Sequence, residues 1–238
     1  MLIAICIPSP HYSAAEITAA VQRTGMETIH FSWDKPVEKW GEADAYILLS
    51  DSKEDCINHI AQYLIAFLQQ QSQQGKAILG LGFGSAKLLA DNGLIPGLFK
   101  NMAGLSLVED FLPEGASTQT WVRLSEDYQY NAFTQVFPLD TILPVRLKTS
   151  AKFLIPPGLL AEIKAQGLPL FLYCNAEGQL HNEDTAIAAI ANKAGNVMAM
   201  VPHPENTLVG DLLFHSLRSY LEMGYWQPVE PLYYWPRK

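Results

Sequence analysis

Apolar residues in this chain come in two rhythms, unbroken runs of five or six and stripes at helical spacing, and the two alternate from the start. Leu2-Ile3-Ala4-Ile5-Cys6-Ile7 is a continuous run of strand length, the pattern of a strand buried on both faces. Ser13 and Glu16 form a capping-box pattern, and Ile17, Ala20 and Val21 then supply the buried stripe of a helix that stops at Gly25. Thr28–Phe31 and Asp44–Leu49 read as the next two strands. Ser52 and Asp55 repeat the capping pattern ahead of Ile57, Ile60, Ala61, Leu64 and Leu68, an amphipathic helix ending near Gly75.

The next run, Ala77 to Leu81, breaks at Gly80, Gly82 and Gly84 and passes into a helical pattern carrying Leu88 and Leu89 to a stop at Asn92-Gly93. This is a strand, a sharp turn and a helix. Such turns lie at the carboxyl ends of strands, where helix N–H groups favour an anion or a reactive side chain. The glycines fit a tight turn with positive φ and close helix packing. A dinucleotide-type phosphate cradle is the weaker reading, because the string does not follow the first strand and no acidic residue ends the next one. Ser85, just past the turn, reads as a helix cap.

Beyond Pro96-Gly97 the rhythm loosens, and Leu98–Gly115 is mixed. Thr118–Leu124, Val145–Lys148, Leu168–Cys174, Thr185–Ala191 and Val197–Val201 are strand candidates, with a hairpin turn at Asn175-Ala176-Glu177-Gly178 and a closing helix at about Thr207–Leu221. The expected architecture is therefore one three-layer α/β domain over residues 1–222, with a central, mostly parallel sheet and antiparallel additions from the second half. Residues 223–238 form a separate aromatic and proline-rich tail with Tyr225, Trp226, Tyr233, Tyr234 and Trp235, which either folds back or covers a partner.

Composition narrows the function classes. A net charge of -8 over 238 residues argues against a nucleic-acid surface. The longest apolar helical pattern is too short and too interrupted to span a membrane, and Met1 leads straight into a strand, so a cytoplasmic protein is expected. Cys6, Cys56 and Cys174 have no metal or disulfide spacing. His181-Asn182-Glu183-Asp184 reads as a solvated loop, since adjacent residues do not face one point. Neither metal nor cofactor is expected.

The glycine turn, the Leu94-Ile95-Pro96-Gly97 after its helix, and Val201-Pro202-His203-Pro204-Glu205 after a late strand together resemble the class I glutamine amidotransferases. The similarity is greatest to the glutaminase subunit or domain of phosphoribosylformylglycinamidine synthase, of purine biosynthesis. It extends over roughly residues 2–222, and Pro-His-Pro-Glu is its most specific part. The resemblance implies a nucleophilic cysteine at the turn, a histidine base and a glutamate that orients it. His203 and Glu205 stand at the last two positions, but Gly82 occupies the place of the cysteine.

A glycine cannot act as a nucleophile. The resemblance also implies a Gly-Gly oxyanion loop after the third strand, where this chain has Leu49-Ser50-Asp51-Ser52-Lys53-Glu54-Asp55, and a His-Gly-Glu-Gly string replaced by about Lys148-Thr149-Ser150-Ala151. The expectation is a glutaminase-like subunit that has lost glutamine hydrolysis and docks a synthetase, with His203 and Glu205 as a relic dyad. Two alternatives remain open: a small-molecule binder that uses the emptied pocket, with Gly82, Phe83 and Gly84 at the ligand, and a hydrolase in which His203 activates a water.

Overall fold

The computed structural model describes residues 1–9, 12–33, 40–51, 61–95, 106–110, 118–148, 150–155, 157–181, 186–205 and 207–224. The first half builds strands β1 (Leu2–Ile7), β2 (Glu27–Ser32), β3 (Ala45–Leu49) and β4 (Ala77–Leu81), with helices α1 (Ala15–Arg23), α2 (Ala61–Gln73) and α3 (Phe83–Asp91). The second half adds β5 (Ser106–Asp110), β6 (Thr118–Leu124), β7 (Ile142–Leu147), β8 (Ser150–Leu154), α4 (Pro157–Ala165), β9 (Pro169–Cys174), β10 (Ile187–Ala191), β11 (Val197–Met200) and α5 (Asp211–Glu222).

Nine strands form one sheet in the order β2-β1-β3-β4-β11-β10-β9-β6-β7, and β5 and β8 pair separately. From β2 to β11 every pairing is parallel; from β11 to β7 every pairing is antiparallel. The parallel block carries the glycine turn, and β11 delivers the second half of the chain beside it.

The continuous apolar runs serve two cores at once, because successive strand side chains face opposite ways. Ile3, Ile5, Ile47, Leu79 and Leu81 pack toward Ile17, Val21, Leu213 and Leu217 of α1 and α5. Ala4, Cys6, Tyr46, Leu48 and Ile78 pack toward Leu64, Leu68, Leu88 and Leu89 of α2 and α3. At Gly80 an added Cβ would lie 2.6 Å from Leu89 Cδ1, so the missing side chain is what lets α3 lie close on the sheet.

Several local expectations change. The N-cap of α1 is Ala14, not Ser13, and no side chain caps it; Glu16 instead turns to Arg146, 3.2 Å away. Thr207–Gly210 forms a turn rather than the first turn of α5, with Thr207 Oγ1 accepting the Gly210 N–H at 2.9 Å. The 175–178 turn forms as read: Asn175 Oδ1 accepts the N–H groups of Glu177 and Gln179. Sequence patterning did not anticipate β8 and α4, which are short and flank a proline. The second capping box, Cys56 and the aromatic tail lie outside the described residues.

Candidate functional site

The turn between β4 and α3 has the geometry of a strand-to-helix elbow. Gly82 is the N-cap of α3 with φ 86° and ψ 164°, a backbone state open to glycine and costly for other residues. Its N–H donates to Met200 O on β11 at 3.0 Å, and its carbonyl accepts from Ala86 N at 3.0 Å. Ser85 does not cap the helix: its Oγ is buried without a hydrogen-bond partner. Phe83 and Gly84 are buried in the packing of α3.

The space above Gly82 is filled. A Cβ built there would lie 2.4 Å from Asp51 Oδ1 and 2.4 Å from the Ser50 carbonyl oxygen. Ser50 and Asp51, just after β3, lie against the turn, and the Ser50 carbonyl accepts the Ser85 N–H at 3.2 Å.

Asp51 is also what holds His203. The histidine follows β11, is 2% exposed, and is pinned by two backbone bonds with Arg146 on β7. Its Nε2 lies 2.6 Å from Asp51 Oδ1 and its Nδ1 2.9 Å from Glu205 Oε1. Tyr12 donates its hydroxyl to Asp51 Oδ2 at 2.6 Å, and Lys148 Nζ stands 3.6 Å from the same oxygen. Arg23 steadies the Glu205 end: it donates twice to Asp211 and once to the Glu205 carbonyl.

Both ring nitrogens thus face carboxylates, which can only accept when ionised, and the imidazole must carry two protons to satisfy them. Burial works against that charged form. The charge of Glu205 and the hydrogen bonds that the ring donates to both carboxylates outweigh it and raise the His203 pKa to about 9. For Asp51 burial is likewise opposed, by the bond and charge of His203, then by Tyr12 and Lys148, and its pKa falls below the usual carboxylate range. Glu205 is lowered too, with the His203 charge overcoming burial. At neutral pH the site is a closed carboxylate–imidazolium–carboxylate relay. In that state neither ring nitrogen holds a free lone pair.

Asp51 Oδ1 lies 2.6 Å from His203 Nε2 and 2.4 Å from a Cβ built on Gly82, so one carboxylate connects the turn to the His203–Glu205 pair. Sequence reasoning missed Asp51 as the partner of His203, along with Tyr12 and Arg23; the signal available was Asp51 in the 49–55 segment, where the resemblance implies an oxyanion loop. The two described cysteines, Cys6 and Cys174, lie in β1 and at the end of β9 rather than at the β4–α3 turn. Cys6 is fully buried in β1, and burial pushes its thiol, and that of Cys174, up. No group of metal-ligating side chains occurs among the described residues. No helix among them is long and apolar enough to cross a membrane.

This architecture, with its elbow at the end of β4 and its histidine after β11, is the class I glutamine amidotransferase fold. The PurLQS structure from Thermotoga maritima superposes with a TM-score of 0.67 at 19% identity, covering 92% of this chain and 98% of that one. A glutamine amidotransferase from Methylobacillus flagellatus gives a TM-score of 0.56 at 13% identity, with 93% and 75% covered. In sequence, the chain is similar to proteins named phosphoribosylformylglycinamidine synthase subunit PurQ. That of Methanothrix thermoacetophila is 23% identical over 246 residues, covering 87% of this chain and 93% of the relative. That of Aquifex aeolicus is 28% identical over 162 residues, covering 62% and 66%. No protein-family model matches the chain.

Proposed function

We propose that this chain is a PurQ-like subunit that docks a synthetase of the phosphoribosylformylglycinamidine synthase type and does not itself hydrolyse glutamine. One observation carries the second half of that reading: the Asp51 carboxylate stands where a side chain on Gly82 would begin, bonded to the histidine that would otherwise serve it. The site keeps the scaffold of a nucleophile elbow and exchanges a thiolate for a fixed carboxylate, which neutralises His203 without being able to form an acyl intermediate. Similarity to PurQ proteins and to the PurLQS structure supports a subunit role in purine biosynthesis.

The test has two readouts. Ammonia release from glutamine is measured for the chain alone and mixed with synthetase-type partners, and complex formation is followed by size-exclusion chromatography with light scattering. The reading expects a stoichiometric complex and no ammonia above the buffer rate. Ammonia release at the rate of an active glutaminase would overturn the loss of hydrolysis, and absence of any complex would overturn the subunit role.

A further inference from the structure

Exposed apolar side chains gather along one side of α5. Val136 donates its N–H to Ser216 Oγ at 3.2 Å, and Tyr130 donates its hydroxyl to Met223 Sδ at 3.9 Å. Ser216, Tyr220 and Met223 stand at i, i+4 and i+7, so they share one side of α5 and its C-cap. The segment 130–136 therefore runs antiparallel to the helix, over about 10 Å at a helical rise of about 1.5 Å per residue. Along that seam Tyr130 is 48% exposed, Val136 37% and Met223 57%, and Leu139, a little further on, is 73% exposed. Single exposed apolar residues are ordinary, whereas a row of them marks an interaction surface.

The end of α5 shows what lies within reach of that row. Met223 is the C-cap, and Gly224 follows with φ 69°, its N–H donating to Leu221 O at 3.2 Å. A left-handed glycine in this position stops a helix and reverses the chain, and the residue after it commonly makes an apolar contact with the helix's last turn. Here that residue is Tyr225, and the corresponding position of the last turn is Tyr220, on the same side as Met223. Trp226, Tyr233, Tyr234 and Trp235 follow, spaced by Pro228, Pro231 and Pro236. A second protein must reach the row from solution, whereas Tyr225 is joined to it through Gly224. A short flexible tether supplies an effective concentration of about a millimolar, well above that of a dilute partner.

We propose that the aromatic segment of this same chain, residues 225–238, covers the row formed by Tyr130, Val136, Leu139 and Met223, with Tyr225 and Trp226 against Tyr130 and Met223 and the later aromatics toward Val136 and Leu139. The row is then an internal surface of the subunit, whether or not a synthetase docks elsewhere on it.

The test uses the full chain with carbon-13 methyl-labelled methionine and valine. Nuclear Overhauser contacts are recorded from the Met223 and Val136 methyl groups, and amide hydrogen exchange over residues 225–235 is read by mass spectrometry. The expected result is contacts from both methyl groups to aromatic rings, unchanged on dilution, with those from Met223 lost in Trp226→Leu. Amides of the segment should exchange about tenfold or more slowly than in Val136→Asp or Met223→Asp, two changes at exposed positions away from His203 and Asp51. Exchange of the segment at the rate of an unstructured peptide, contacts that vanish on dilution and so belong to a second copy, protection that arises only when a synthetase-type partner is added, or protection unchanged in both aspartate variants would each overturn the proposal.

Discussion

His203 Nε2 lies 2.6 Å from Asp51 Oδ1, across the mouth of a strand-to-helix turn whose central residue has no side chain. The chain places these two residues 152 positions apart. Their pairing is a clasp that joins the end of β3 to the loop after β11.

Removing one partner of that clasp should be costly. Breaking a buried ion pair leaves an unmatched charge, a loss of about 3–5 kcal/mol. His203→Ala, which strands both Asp51 and Glu205, is expected near the upper end in urea unfolding. Asp51→Asn preserves shape and one acceptor and should lose less. Equal stability of wild type and His203→Ala would show that the relay contributes nothing to the fold.

Stability should depend on pH with a defined sign. His203 has a folded pKa raised to about 9, against 6.5 for the free side chain, so its contribution is full below about pH 6.5 and is lost as pH rises through 9. Asp51 and Glu205 have lowered pKa values, so theirs is present above the ordinary carboxylate range and lost as pH falls through the folded values. Chemical denaturation from pH 4 to 10 should therefore show a maximum on the mildly acidic side of neutrality. In His203→Asn the decline between about pH 6.5 and 9 should flatten; an unchanged alkaline limb would assign it to other groups.

Gly82→Cys should not restore glutaminase activity. The new Cβ meets Asp51 Oδ1 and the Ser50 carbonyl at 2.4 Å, and φ of 86° is unfavourable for any side chain. A cost of about 1–3 kcal/mol from the backbone state alone is expected, with more from the contacts. Adding Asp51→Ala relieves the carboxylate contact but leaves the backbone carbonyl in place. Ammonia release by the single mutant would show that the segment after β3 moves aside more easily than its packing suggests.

Two further glycines should respond oppositely to alanine. At Gly210 a Cβ would stand 1.9 Å from the Pro204 carbonyl oxygen, so Gly210→Ala must displace the loop that carries His203 and Glu205. A loss of about 1–3 kcal/mol is expected. At Gly158, in α4, a Cβ meets nothing within 4 Å, and the same change should stabilise by about 0.5–1 kcal/mol. Thermal unfolding of the two variants side by side checks both.

The parallel half of this protein is legible in the chain because its physics is local. A strand buried on both faces needs an unbroken apolar run, and a helix on a sheet needs a stripe, so Leu2–Ile7, Ala77–Leu81 and the helices between them declare themselves. The elbow is legible for the same reason: Gly80 and Gly82 answer two neighbouring demands, close helix approach and positive φ, and both are met within the same few residues. The second half is less so, since β8 and α4 are short and owe their form to what they pack against.

Tertiary structure alone decided what the site is. Asp51, Tyr12, Lys148 and His203 carry no common signal along the chain, because charge pairing acts through space and depends on which loops the sheet order brings together. The sequence by itself determined that position 82 is a glycine, with no side chain. Only the folded chain could determine what lies against it, a carboxylate whose burial is sustained by the histidine it immobilises.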